Sequence, residues 1–184
     1  MQKLLLFLAA LFLLIVGIGF FLPTTYAVER RITIDASTER VHELVGDLEQ
    51  WPSWAPWEGE DPTMQTTLGE LTTGVGASQK WTGKDGDGEL TFTGSNPAAG
   101  IKYDMAFIME GKRAPAQCAM LYESDGKSTT VVWTMSGDMG DVMPPVVGGY
   151  LGLLMPGSIG AMFDTGLGRL KELAEAAPGD DNEG

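Results

Sequence analysis

Trp51, Trp54 and Trp57 stand three residues apart in the segment WPSWAPW (51–57), the densest local cluster in the chain. In a helical turn that spacing puts the three indoles broadly on one side. An indole is large and apolar with a single donor N–H, so the cluster suits a structural plug or the wall of an apolar cavity. The groups that acid–base or nucleophilic chemistry needs are thinner. His42 is the only histidine; it falls off the apolar stripe of its helix, reads as solvent-facing or flanking, and supplies a transition metal poorly. Cys118 is the only cysteine, which excludes an intrachain disulfide and a thiolate cluster. In a β-rich stretch it reads as a small buried apolar residue. Glu58, Glu60 and Asp61 read as a solvated loop, while Asp104, Glu110 and Glu123 alternate with apolar positions and should face water. The run Lys84-Asp85-Gly86-Asp87-Gly88 lacks the ligand spacing and closing glutamate of a calcium loop, so it reads as a hairpin turn. Ser53, Ser78 and Ser136 have no histidine near them in sequence, and no nucleophile elbow, phosphate loop or dinucleotide fingerprint occurs. The residues thus nominate no catalytic group, no metal and no cofactor. An enzyme would need a polar pair in a cavity, for example Tyr103 or Tyr122 with a carboxylate.

Methionine is the other unusual component, with ten in 184 residues. Met105, Met109, Met120, Met135, Met139, Met143, Met155 and Met162 fall in the second half of the chain, and flexible thioethers either fill core gaps or re-pack around varied apolar ligands. The stretch MGDVMPPVVGGYLGLLMP (139–156) reads as a loop, yet Met143, Val146, Val147, Tyr150, Leu151 and Leu154 make it too apolar to lie free in water. It is open to three readings: a lid hinged at Gly148-Gly149, a shallow membrane-dipping element, or a segment packed into its own domain.

The elements that must position these residues follow from periodicity. Val28 to Asp35 alternates as a strand, and Ser37 can cap a helix with Val41, Leu44, Val45 and Leu48 along one stripe. Short alternating segments near 64–71, 75–82, 88–95, 100–110, 115–123 and 129–137, separated by turn residues, read as an antiparallel meander. A final helix runs from about Ser158 to Ala176, with Ile159, Met162, Phe163, Leu167 and Leu170 on its apolar face. Gly160, Gly166 and Gly168 weaken that helix, which points either to close packing or to loose tolerance. The fold class expected is α+β, a curved sheet of about seven strands around a long C-terminal helix.

The chain divides into residues 1–23, 28–176 and an acidic tail (177–184) expected to be disordered. Leu4 to Leu22 is uncharged and, as a helix, would span roughly 28 Å, close to a bilayer's hydrocarbon core. It is longer than the apolar core of a cleaved signal peptide, although Thr25-Tyr26-Ala27 would serve as a cleavage site. The expectation is a single-pass anchor; basic residues flank it on both sides (Lys3 against Arg30 and Arg31), so charge assigns no orientation. A net charge of −13 with scattered basic residues argues against nucleic-acid binding.

The order of these features resembles the SRPBCC (START-like) superfamily, and within it the polyketide cyclase/dehydrase and lipid-transport group. The matching residues are Ile32-Thr33-Ile34-Asp35-Ala36, Val41 with Val45-Gly46-Asp47-Leu48, Trp51 to Trp57, Asp61-Pro62, Val75-Gly76-Ala77, Trp81, and the helix Phe163 to Leu173. They span nearly all of 28–176 but are diffuse. The resemblance implies a helix-grip fold with a deep hydrophobic cavity between sheet and helix, and an N-terminal membrane segment precedes some members. The cavity residues it suggests here are Trp51, Trp54, Trp57, Trp81, Tyr103, Met105, Phe107, Met120, Trp133, Met135, Met162 and Phe163. The function expected is membrane-anchored binding of a lipid or other hydrophobic small molecule. A cyclase, dehydratase or hydrolase using the same cavity, and a ligand-free interaction module, remain as alternatives because this fold does not dictate one function.

Overall fold

Residues 1–57, 62–84, 86–109 and 111–176 are described by a computed structural model, with Met109 as backbone alone. Glu58, Glu60, Asp61, Asp85, Glu110 and the acidic tail (177–184) lie outside the described residues. An apolar helix α1 (Gln2–Phe21) leads into strand β1 (Thr25–Ile34) and the short helix α2 (Thr38–Val45). The meander follows as β2 (Gln65–Leu68), β3 (Ser78–Thr82), β4 (Asp87–Asn96), β5 (Gly100–Met109), β6 (Lys112–Ser124) and β7 (Thr129–Asp138), and the long helix α3 (Pro145–Glu175) ends the fold.

Local chemistry sets these boundaries. The Ser37 hydroxyl accepts from the Arg40 N–H (3.3 Å) at the start of α2, satisfying one otherwise orphaned donor. Between β4 and β5 the chain turns at Gly100, where φ is +101° and a Cβ would collide with the Met120 carbonyl, so only glycine fits. The sheet is fully antiparallel, ordered β1-β7-β6-β5-β4-β3-β2, which confirms the expected α+β helix-grip architecture. A register shift between Phe92 and Gly94 bends β4 against β5. Alternation buries one face: Tyr103 and Met105 on β5, Cys118 and Met120 on β6, Trp133 and Met135 on β7.

α3 runs in the same direction as β1. A Cβ on Gly152 would touch the Thr24 backbone, and Asp164 pairs with Arg30 at 3.2 Å. Farther along, Lys171 Nζ donates to the Thr33 carbonyl (2.6 Å) and the Asp35 N–H donates to Glu175 (2.8 Å). Phe163, Leu167 and Leu170 are buried against the sheet. The glycines of this helix divide: Gly160 lies under the Arg30 guanidinium and Gly166 against Pro56 and Trp133, whereas Gly168 has open space around it. Close packing therefore explains two of the three.

The largest departure from the sequence reading lies at 139–156. The segment is no loop: after a single 3-10 turn (Met139–Asp141), α3 begins at Pro145 and is 31 residues long. Pro144-Pro145 suits a helix start, since a first-turn proline gives up no hydrogen bond. Pro156 inside the helix removes one such bond, and the helix continues through it. Met143, Val146, Val147, Tyr150, Leu151 and Leu154 therefore sit on or just before the first turns of α3, not on a glycine-hinged loop.

Candidate functional site

An apolar chamber of about 140 Å³ lies between the concave face of the sheet and the middle of α3. Its floor is Tyr103, Met105 and Phe107 from β5, Cys118 from β6, and Trp133 and Met135 from β7; Ile159, Met162 and Phe163 of α3 form the roof, and Trp57, Met64 and Trp81 close the sides. Strand alternation sends every second side chain inward, which is why the floor residues are odd-numbered on β5 and on β7. Met162 is 37% exposed and stands at the chamber's edge.

Aromatic packing fixes the walls. Phe163 stacks on Trp133 with ring centres 3.9 Å apart and planes within 4°. Trp81 meets Phe107 edge-to-face at 6.0 Å. The indole N–H of Trp133 donates to the Tyr103 hydroxyl at 2.9 Å, so the chamber's one buried indole donor is occupied. Burial raises the Tyr103 pKa well above its ordinary value and pushes the Cys118 thiol up to about 12, so both stay neutral near pH 7. No carboxylate is among the chamber's described lining residues, and Asp104 points to the opposite, solvent-facing side of β5. In place of the tyrosine–carboxylate pair, the described lining offers three polar groups, the Tyr103 hydroxyl, the Trp133 indole N–H and the Cys118 thiol.

Nine of the residues suggested from sequence converge on this chamber: Trp57, Trp81, Tyr103, Met105, Phe107, Trp133, Met135, Met162 and Phe163. Trp51, Trp54 and Met120 do not. Trp51 and Trp54 are fully buried, and their indole N–H groups donate to the Val45 and Leu44 carbonyls at 3.0 Å each. They bolt the end of α2 to the sheet, leaving only Trp57 of the three as a wall. Met120 is fully buried in the core and is not among the chamber's lining residues. Sequence reasoning missed Met64, Cys118 and Ile159; the inward phase of β6 (Cys118, Met120) and the α3 stripe carried the last two. Of the six residues assigned to a lid, none lines the chamber. Leu151 borders a neighbouring groove, and Val147 and Leu154 are exposed.

His42 is neither solvent-facing nor free. It is half-buried, with Nδ1 3.3 Å from the Tyr122 hydroxyl and Nε2 3.2 Å from Ser95 Oγ, and burial lowers its pKa. A Cβ on Gly46 would overlap the imidazole, so the backbone of the following turn covers the ring. The trio ties α2 to β4 and β6 at the end of the sheet away from the chamber, and the sequence signal for it was absent because its members lie far apart in the chain.

The family model for polyketide cyclase / dehydrase and lipid transport matches residues 25–175. The chain belongs to this family. Solved structures share the fold of this polyketide cyclase/dehydrase and lipid-transport member. CV1439 from Chromobacterium violaceum is 15% identical over 82% of this chain and 98% of its own, with a TM-score of 0.60. The Aha1 dimer from Colwellia psychrerythraea is 16% identical over 83% and 98%, with a TM-score of 0.58. DynU16, from the dynemicin biosynthetic locus, is 17% identical over 82% of this chain and 47% of its own, with a TM-score of 0.55. At such identities the likeness is one of fold. No curated protein matches the sequence.

Proposed function

We propose that this protein binds a hydrophobic small molecule in the chamber between sheet and α3 while α1 anchors it in a membrane. The observation that carries the reading is the chamber itself, apolar on every side and bounded by the sheet and by α3. Family membership supports the same class of ligand. Size narrows it: a dry apolar cavity of about 150 Å³ accommodates a molecule such as benzene, whereas sites for larger organic ligands run to roughly 300–1,000 Å³. At about 140 Å³ the chamber takes a single ring or a short branched chain. A longer acyl chain enters only if Met162 and Ile159 swing outward. Burial of apolar surface, at about 25 cal/mol per Å², drives binding, and the Tyr103 hydroxyl is the main polar atom available to orient the ligand.

The anchor is supported by what surrounds α1. Only Gly19 of its 20 residues is buried, and Phe7, Leu13 and Phe21 are 64%, 68% and 91% exposed. Its length and composition meet the requirement for crossing a membrane, a test that a signal sequence also passes.

Toluene provides the test. With full-length protein in phosphatidylcholine nanodiscs, toluene at ten times its Kd stabilises the fold by about 1.4 kcal/mol. That corresponds to a rise in Tm of roughly 3–6 °C. In Ile159→Trp, which fills the chamber's roof, the rise is abolished. An absent shift, or an equal shift in both proteins, overturns the reading.

A further inference from the structure

We propose that the first three turns of α3 sit in the membrane beside α1, and that the groove beneath them is the passage from lipid to chamber. This rests on α1 being an anchor. The two helices already touch along their neighbouring ends. The Tyr150 hydroxyl donates to the Ile15 carbonyl at 2.7 Å. Gly19 lies under Val146 and Tyr150, and Gly149 lies under the Gly19 carbonyl and Leu22, so neither glycine has room for a side chain. Small residues at such a crossing are what bring two helix backbones together in lipid.

Depth follows from helix rise. Ile15 precedes Leu22 by two turns, about 10 Å along the axis. With α1 embedded as far as Leu22, the tip of Tyr150 reaches about 10 Å below that end, the depth at which interfacial helices bury their apolar faces. The exposed face of these turns suits that medium. Val147, Leu153 and Leu154 are 46%, 60% and 65% uncovered. No Asp, Glu, Lys or Arg occurs between Asp141 and Asp164, in a chain of net charge −13.

The remainder of α3 cannot join them. Although the whole helix is long and apolar enough to cross a membrane, Phe163, Leu167 and Leu170 are buried against the sheet and Lys171 and Glu175 are tied to the end of β1. Only the N-terminal turns are available to lipid.

Beneath those turns lies a second, mainly apolar groove of about 240 Å³, lined by Leu151, Met155, Phe107, Ile108 and Met139, with the acidic residues Asp87 and Asp138 also on its border. Phe107 borders both this groove and the chamber. It is the one residue common to both linings, so the proposed passage runs past its ring, which must leave its edge-to-face packing on Trp81 for a ligand to go by. An apolar molecule dissolved in the bilayer would then reach the chamber without crossing water.

Full-length protein carrying a single environment-sensitive fluorophore, reconstituted in phosphatidylcholine vesicles, tests this at four sites: Leu13→Cys, Leu153→Cys, Leu154→Cys and Thr66→Cys on β2. Cys118 is buried and does not compete for label. Nitroxide-labelled lipid is expected to quench positions 13, 153 and 154 at least twofold more than position 66, with iodide showing the reverse order. Lipid quenching at 13 with iodide quenching at 153 and 154 overturns the inference and leaves the anchor intact. Iodide quenching at 13 overturns the anchor itself. Energy transfer between chains labelled at 153, without lipid quenching there, assigns the face to a second copy and also overturns the inference.

Discussion

The two halves of α3 share one continuous backbone and opposite surroundings. From Gly157 to Glu175 the helix has a distinct buried stripe, Phe163, Leu167, Leu170 and Ala174, with Arg169, Lys171 and Glu172 on its other sides. From Pro145 to Pro156 the residues buried are Gly148, Gly149 and Gly152, while Leu153 and Leu154 point outward. In the second half most large apolar residues face protein; in the first only glycines are fully buried, Leu151 and Met155 are partly covered, and Val147, Leu153 and Leu154 are left exposed. Glycines turned toward a neighbouring helix with leucines turned outward are the pattern of helices that pack in lipid, and the proposed membrane placement rests on it. On the proposed function, the contrast would put two tasks on one element: closing the chamber, and meeting the medium from which its ligand comes.

The sharpest way to break this contrast is to truncate one leucine in each half. Leu170→Ala removes a fully buried side chain and is expected to cost about 2–5 kcal/mol. Leu153→Ala should change stability by less than about 0.5 kcal/mol in a denaturation measured by circular dichroism. Equal costs would mean that the first half is packed after all. Next in size are the glycines. Gly166→Leu would drive a side chain into Pro56 and Trp133, an overpacking cost of about 1–3 kcal/mol. Gly168→Ala, with nothing near its Cβ, should stabilise by up to about 1 kcal/mol. Gly149→Leu is a local change: it pries the first turns from α1, so amide exchange should quicken across 145–156 and stay unchanged across 163–175.

The smallest effect concerns the far end of the sheet. Burial lowers the His42 pKa in the folded state, so the neutral ring is the one the fold prefers. Stability contributed there is complete above the unfolded value of about 6.5 and falls as pH drops through it toward the folded pKa. Because the ring is partly solvated, the loss is expected to be smaller than the effects of the Leu170 and Gly166 substitutions. Thermal unfolding of His42→Gln should lack this slope between pH 7.5 and 5.5, with exchange in the first half of α3 insensitive to pH-linked stability in both proteins.

Most of the architecture was legible in the sequence because strand alternation and turn residues repeat the same message along the chain. Ile101, Tyr103 and Met105 announce their inward face by period two, and the structure buries all three. The chamber was legible to the extent that this phase continued, which is how Met135 and Trp133 were found. It failed where tertiary distance decides. Trp51 and Trp54 have the same chemistry as Trp57, and only the nearby Val45 and Leu44 carbonyls make them bolts. The start of α3 was misread because glycines and prolines argue against a helix in water, while the partner that favours it, the end of α1, lies more than a hundred residues earlier. The Ser95–His42–Tyr122 trio escaped notice for the same reason.

The claim on which the rest depends is that the chamber holds an apolar molecule. Native mass spectrometry of the full-length protein, released from the membranes in which it is made, addresses it directly. The account expects a neutral apolar species bound in about one-to-one ratio to the wild-type chain and missing from Ile159→Trp. Protein of bare chain mass in both samples would contradict it.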